Sequence, residues 1–167
     1  MGLIDFVKDA GEKLFGRGQA QAAIKEAAAE PSNTAKVQSA NAAAGDAILE
    51  YIKAQNLSAT GPTVTYDGAT STASVFGVAP DQATSEKIVL CCGNVAGVAA
   101  VKDMMSVDQS APEGQFYTVV SGDTLSKISK QYYGDANKYM KIFDANKPML
   151  TSPDKIYPGQ KLRIPPQ

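Results

Sequence analysis

The sequence predicts an α+β protein made of two small units, preceded by a short docking helix. Three observations indicate this class. Between residues 45 and 107 the hydrophobic pattern changes in the order helix, strand, strand, helix, strand, which is αββαβ. A polar stretch at 108–115 then interrupts the pattern, as a domain linker does. From 116 to 167 two helical segments lie between two short strands, in the order βααβ.

The opening segment, residues 1–16, predicts an amphipathic helix that docks on another part of the protein. Its apolar residues recur at steps of three and four: Leu3, Phe6, Val7, Ala10 and Leu14. Residues 17–44 follow as an alanine-rich insert interrupted by Pro31. This composition favours either helical pieces broken near the proline or a mobile spacer.

The first unit is predicted to begin at Gly45 with a helix and to continue with a hairpin. The helix has apolar residues at helical spacing: Ala47, Ile48, Tyr51 and Ile52. Residues 63–66 and 72–77 alternate between apolar and polar side chains, as half-buried strands do. Asp67 and Gly68 supply turn chemistry between them.

A second helix and a third strand complete this unit. The helix is predicted over residues 79–92, with Pro80 in its first turn. Gly93 is predicted to end it by adopting a positive φ, which glycine does at little cost. The apolar segment 98–107 then predicts the strand.

The second unit has capping and core signals of its own. Asp123 or Thr124 can cap its first helix, and Gly134 can end that helix. The apolar residues expected to form a small core against Tyr117 and Leu162 are Leu125, Ile128, Tyr132, Ile142 and Phe143. Of the adjacent Tyr132 and Tyr133, at least one is expected to belong to this core.

Composition argues against several function classes. The net charge of −1 leaves no basic face of the kind that nucleic acids require. The chain has no histidine, which removes the commonest general base and the commonest ligand of transition metals. No pair of acidic residues is marked out as an acid and a base, so we do not expect an enzyme. Charges in the opening segment argue against a secretory signal and no run is long enough to span a bilayer, so we expect a cytoplasmic protein.

Two adjacent cysteines, Cys91 and Cys92, stand on the second predicted helix. Neighbouring helical positions point about 100° apart, so these thiols are not expected to pair or to chelate one metal ion. A zinc site would need two more ligands, and the chain has neither histidine nor further cysteine. We expect Cys92 to be buried and Cys91 to lie nearer the surface, with redox sensing as the alternative function.

Three parts of the sequence carry family resemblances. "YTVVSGDTLSKISKQYYGD" with "KIFDANKPML" and "PDKIYPGQKLRIP" resembles a LysM domain. The first unit resembles a BON domain through its "CGNVAGVAAV" turn and its order of elements. Together with the opening "MGLIDFVKDAGEKLFG", the chain resembles the family of small cytosolic bacterial potassium-binding proteins. The resemblance implies selective K⁺ binding by main-chain carbonyl oxygens, domain rearrangement on binding and a role in osmotic or ionic stress.

The resemblance also implies a ligand set drawn from two separated segments. Its members are the carbonyl oxygens of Val7, Ala10, Glu12, Gly93, Val95 and Val98. K⁺ is large and weakly hydrated, so neutral oxygens suit it, and Gly93 and Gly97 can turn successive carbonyls toward one point. Both glycines also have a purely structural interpretation, as a helix cap and a tight turn. We expect K⁺ as the cofactor and a monomeric protein, and leave other protein partners open.

The LysM resemblance implies a rival function, the binding of N-acetylglucosamine polymers such as peptidoglycan. The implied groove residues are Gly122, Asp123, Thr124 and Leu125 on one side and Asp154, Lys155, Ile156 and Tyr157 on the other. Peptidoglycan lies outside the membrane, so the expected cytoplasmic location argues against this function. A LysM unit can instead serve as a packing partner for the first unit.

Overall fold

The computed structural model of the chain describes residues 3–5 and 34–167. Its elements, in chain order, are β1 (Leu3–Asp5), α1 (Thr34–Ala54), β2 (Thr60–Asp67), β3 (Thr72–Asp81), α2 (Gln82–Gly93), β4 (Ala100–Gln109), β5 (Gln115–Thr118), α3 (Leu125–Tyr133), a 3-10 helix (Ala136–Lys138), α4 (Tyr139–Ala145) and β6 (Lys161–Ile164). The order from α1 to β4 is αββαβ, and the order from β5 to β6 places helices between two strands. The predicted α+β class is confirmed.

The first unit is a four-stranded sheet covered by two helices. The strand order is β1, β4, β3, β2, in which β3 and β4 are parallel and the other two pairs are antiparallel. The parallel pair follows from the chain path, since α2 carries the chain from the end of β3 back to the start of β4. Helices α1 and α2 share one buried apolar cluster with the sheet, which contains Ile48, Val75, Val89 and Val101.

The helix predicted over residues 1–16 is wrong at its start, because Leu3–Asp5 is a β-strand. Ile4 pairs with Val101 and Asp5 with Ala100 on β4. Leu3, assigned to the apolar stripe, is 61% exposed. The physical reason is a long-range one: the edge of β4 offers unpaired backbone groups, and pairing with them outweighs local helical periodicity. Residues 6–16 and the prediction for them lie outside the described part of the chain.

The first long helix begins earlier than its predicted start at Gly45. Helix α1 starts at Thr34, three residues after Pro31, so its first turns come from the segment interpreted as an insert. Gly45 is therefore a mid-helix residue with a packing role. A Cβ built on Gly45 would lie 2.4 Å from the carbonyl oxygen of Val64 on β2, so the helix approaches this strand closely only because the side chain is absent.

Helix α2 begins one turn later than its predicted start. Asp81 is its N-cap, and the Asp81 side chain accepts a hydrogen bond from the Thr84 amide at 2.7 Å. Pro80 belongs to the end of β3 and not to the first turn of the helix. The helix ends at Gly93, but the cap is Asn94, at φ −84°, and the positive φ of this stretch belongs to Gly97, at +96°.

The second unit matches its predicted caps and core. Thr124 caps α3 by accepting a hydrogen bond from the Lys127 amide, and Gly134 ends α3 at φ +70°. The predicted apolar residues form one cluster, with Tyr117 and Tyr132 partly buried at its border. Tyr133 is buried, and its hydroxyl donates to the carbonyl of Pro165 at 2.7 Å.

The two units meet along α2 and β6. Glu86 and Arg163, only 5% and 6% exposed, form an ion pair between these elements. Glu86 also accepts hydrogen bonds from the Gln82 side chain and from the amide of Gly114, each at 2.9 Å. Gly114 lies in the predicted linker, whose first residues extend β4 and whose last residue begins β5. The segment between the units is therefore hydrogen-bonded, through the Gly114 amide, to the Glu86 carboxylate of the ion pair.

Gly45→Ala tests the close approach of α1 to β2. Alanine favours helix over glycine, yet we expect a loss of about 1–3 kcal/mol because its Cβ would overlap the Val64 carbonyl. Urea unfolding followed by circular dichroism measures the change. Ser39→Ala, at an exposed position of the same helix, is the control and should change stability by less than about 0.5 kcal/mol. Equal stability of Gly45→Ala and wild type would contradict the packing described here.

Candidate functional site

The loop 94–99 connects α2 to β4 and is largely buried. The Asn94 amide donates to the carbonyl of Leu90 at 3.0 Å, and the Val95 amide donates to that of Cys92 at 3.3 Å. The Val98 amide donates to the Val95 carbonyl at 3.1 Å. The chain thus leaves the helix in a tight turn. The amides of this turn donate to some of the last helical carbonyls, which have no partner within the helix itself.

Two residues of the β2–β3 hairpin hold this loop from the side. The Tyr66 hydroxyl donates to the carbonyl of Gly97 at 3.0 Å, and the Ser71 carbonyl accepts from the Ala99 amide at 2.8 Å. Tyr66 is 5% exposed, and burial raises the pKa of its hydroxyl, so it stays protonated and able to donate. Loop 94–99 is therefore fixed by the sheet beneath it.

Half of the predicted ion ligands belong to this stretch. Gly93 ends α2, and Val95 and Val98 lie within loop 94–99, with side chains that are fully buried. The Val95 carbonyl accepts one hydrogen bond and keeps a second lone pair, since a carbonyl oxygen has two. The other predicted ligands, Val7, Ala10 and Glu12, lie outside the described residues.

Strand β1 leads toward the same loop. Asp5, its last residue, pairs with Ala100, the first residue of β4. Loop 94–99 enters β4 at this point, so β1 ends where the loop ends. Val7 follows Asp5 by two residues, and Ala100 follows Val98 by two residues. Two residues of extended chain span at most about 7 Å.

The second unit reaches the loop through Lys161 of β6. The Asn94 side chain, 3% exposed, donates to the Lys161 carbonyl at 3.2 Å and accepts from the Lys161 amide at 3.4 Å. The Lys161 ammonium donates to the main-chain carbonyl of Asp5. Lys161 thus contacts the loop through its backbone and β1 through its side chain.

The two cysteines are buried side by side at the end of α2. Cys91 and Cys92 are each 0% exposed and carry free thiols, so the expectation that Cys91 lies nearer the surface is wrong. The reason is that α2 is covered by the sheet, by α1 and by the second unit, which leaves its last turn without a solvent-facing side. Burial raises the pKa of the Cys91 thiol to about 12 and raises that of Cys92 as well.

A separate cavity of about 300 Å³ lies in the second unit. Its lining residues are Asp123, Thr124, Leu125, Ser126, Tyr139, Pro153, Asp154 and Ile156. Five of the residues predicted for glycan binding are among them, and Gly122 is adjacent in sequence. Each of three also has a structural role: Leu125 is core, Thr124 caps α3, and Asp123 accepts from the Tyr117 hydroxyl at 2.7 Å.

The described residues contain neither a cluster of metal-ligating side chains nor a membrane-spanning helix. Within 3–5 and 34–167, no three side chains of histidine, cysteine, aspartate or glutamate are grouped so that they could hold a metal ion. No helix in that part of the chain is both long and apolar enough to cross a membrane.

Comparison with known proteins assigns the family. The LysM domain family matches residues 117–165. Potassium binding protein Kbp of Escherichia coli O6:H1 (strain CFT073) is 46% identical over 169 residues, which cover 99% of each chain. The chain belongs to the Kbp family.

Two other relatives match only parts of this Kbp family member. An uncharacterized protein of Deinococcus radiodurans is 57% identical over 49 residues, or 29% of this chain and 19% of the relative. The uncharacterized protein YqbP of Bacillus subtilis is 41% identical over 66 residues, or 34% of this chain and 29% of the relative.

Sequence reasoning missed three residues that hold the loop in this Kbp family member: Tyr66, Asn94 and Lys161. Asparagine is favoured at a helix end when it adopts the left-handed conformation, but Asn94 lies at φ −84°, so that signal does not account for its role. The sequence pattern around Tyr66 indicates only that its side chain faces the core of the unit. No neighbouring residue predicts the hydrogen bond from its hydroxyl to Gly97, 31 residues away. The Asn94–Lys161 contact joins residues 67 apart and has no local signal.

The buried thiols predict slow alkylation. Because burial blocks access and raises both pKa values, the folded protein at pH 8 should react with iodoacetamide at least about 100-fold more slowly than the chain unfolded in urea. Mass spectrometry of quenched samples measures both rates. Rapid modification of Cys91 in the folded protein would contradict its burial.

Proposed function

We propose that this protein binds K⁺ with main-chain carbonyl oxygens and acts as a cytoplasmic K⁺ sensor. The observation that carries the proposal is the 46% identity, over 99% of both chains, to a relative named potassium binding protein. Such coverage includes both units and the opening segment, so the shared feature is the whole arrangement and not one domain.

The loop 94–99 supplies suitable chemistry for one half of the site. K⁺ is held by several neutral oxygens that replace its hydration shell, and carbonyl dipoles provide them without the charge that would favour Ca²⁺ or Mg²⁺. The candidate ligands are the carbonyl oxygens of Gly93, Val95 and Val98. Val95 and Val98 are fully buried, and a low-dielectric environment strengthens the attraction between the ion and each dipole.

The path of β1 supports the other half of the site. Since Asp5 pairs with Ala100, the chain after Asp5 starts beside the end of loop 94–99. We propose that the carbonyls of Val7, Ala10 and Glu12 complete the coordination from there. A site shared by two segments so far apart in sequence couples ion binding to the docking of the opening segment.

We further propose that the first unit is a BON domain whose arrangement with the LysM domain changes on K⁺ binding. In this proposal the BON domain comprises α1 to β4 and so includes residues 34–44, which precede its predicted start at Gly45. The hydrogen bonds between Asn94 and Lys161 connect loop 94–99 directly to the second unit. A role in ionic or osmotic stress follows from such a sensor.

Selective stabilisation by K⁺ is the first test. At about 100 times the dissociation constant a ligand adds roughly 2.7 kcal/mol, which should raise the Tm of a chain of this size by about 5–10 °C. Thermal unfolding in KCl is compared with NaCl and choline chloride at equal ionic strength. Equal Tm values in all three salts would contradict selective K⁺ binding.

The carbonyl assignment predicts that the thiols are dispensable for binding. A Cys91→Ala, Cys92→Ala variant keeps every main-chain oxygen of α2 and removes both sulfur atoms. We expect its K⁺ dissociation constant, measured by calorimetry, to stay within about threefold of wild type. Loss of K⁺ binding in a variant that still unfolds cooperatively would assign the ligands to sulfur instead.

A second candidate function is glycan binding by the second unit. The observation that favours it is the cavity of about 300 Å³, which five of the predicted glycan-binding residues line. Retention on insoluble peptidoglycan tests it. Ser126→Arg would fill the cavity and should abolish retention, whereas Lys130→Ala, exposed on the same helix outside the cavity, should not. No retention of the wild-type protein would exclude peptidoglycan as a ligand.

A further inference from the structure

Lys161 places a positive charge beside the proposed ion site. Its backbone is hydrogen-bonded to the side chain of Asn94, which stands between the candidate ligands Gly93 and Val95. Its ammonium donates to the carbonyl of Asp5, two residues before the candidate ligand Val7. The residue therefore connects β1, which precedes one proposed ligand segment in the sequence, with Asn94, which lies in the other.

The Lys161 ammonium is partly removed from water. Burial lowers the pKa of this group, while the charge of Asp5 acts in the opposite direction. A partly desolvated ammonium interacts with nearby charges more strongly than one in bulk water. The carbonyl that it holds is chemically the same kind of ligand that K⁺ requires.

We propose that Lys161 is a built-in cationic competitor that lowers the affinity of the site for K⁺. This inference rests on the proposed function. The ammonium contacts the carbonyl of Asp5, whose partner Ala100 on β4 follows the candidate ligand Val98 by two residues, and two monovalent cations close together in a protein repel each other. In the K⁺-free protein the ammonium provides positive charge next to the carbonyls, and K⁺ binds against its field.

The hydrogen bond from Lys161 to the Asp5 carbonyl also tethers β1. This tether would raise the affinity for K⁺, whereas the charge would lower it. This tether is duplicated, because all three residues of β1 pair with β4. Removing the charge while keeping a donor separates the two effects. The repulsive effect should then dominate, and the affinity for K⁺ should rise by roughly three- to tenfold.

The experiment is calorimetric titration of KCl into the full-length protein at constant ionic strength, maintained with choline chloride. Lys161→Gln removes the charge and keeps a donor for the Asp5 carbonyl, and Lys161→Met removes both. We expect Lys161→Gln to bind K⁺ roughly three- to tenfold more tightly than wild type. Lys161→Arg keeps the charge and should stay within about twofold of wild type.

Lys138→Gln is the matched control, since Lys138 is an exposed lysine of the second unit, on the 3-10 helix, and its loss changes the net charge equally. It should leave the K⁺ affinity unchanged. Unchanged or weaker K⁺ binding in folded Lys161→Gln and Lys161→Met would overturn the role of Lys161 while wild-type binding still supports the proposed function. Absence of K⁺ binding in wild type and in every variant would overturn both.

Discussion

The arrangement of the two units depends on one buried ion pair, between Glu86 of α2 and Arg163 of β6. Both side chains are almost fully buried, so each charge needs the other, and removing one partner of such a pair typically costs about 3–5 kcal/mol. The pair also constrains its surroundings. A Cβ on Gly114 would lie 2.8 Å from a carboxylate oxygen of Glu86, so the segment between the units passes the pair only as glycine.

This docking gives the loop 94–99 its environment. Strand β6 is anchored on α2 at Arg163, and two residues earlier Lys161 meets Asn94 at the start of the loop. Tyr66 and Ser71 hold the other side from the sheet. The loop is thus held on both sides, and a loop held in this way lowers the entropic cost of ordering its carbonyls around the proposed ion.

The sequence predicted correctly those elements that short-range patterns determine, namely the β2–β3 hairpin and the ends of α3. Alternation in 63–66 and 72–77 predicted the hairpin, and Thr124 and Gly134 predicted both ends of α3. Strand β1 could not be predicted, because three residues have no period of their own and their pairing partners are 95 to 99 positions away. Gly45 in an alanine-rich stretch resembles a boundary, and only the neighbouring strand reveals its packing role. The whole proposed ligand set came from a resemblance, since a carbonyl oxygen leaves no trace in the identity of its residue.

The most direct measurement is anomalous diffraction from crystals grown in KCl, with data collected on both sides of the potassium absorption edge. We expect one strong potassium peak within coordination distance of the carbonyl oxygens of Gly93, Val95 and Val98. A potassium peak at the thiols of Cys91 and Cys92 or only in the cavity of the second unit, or no peak at all, would contradict it.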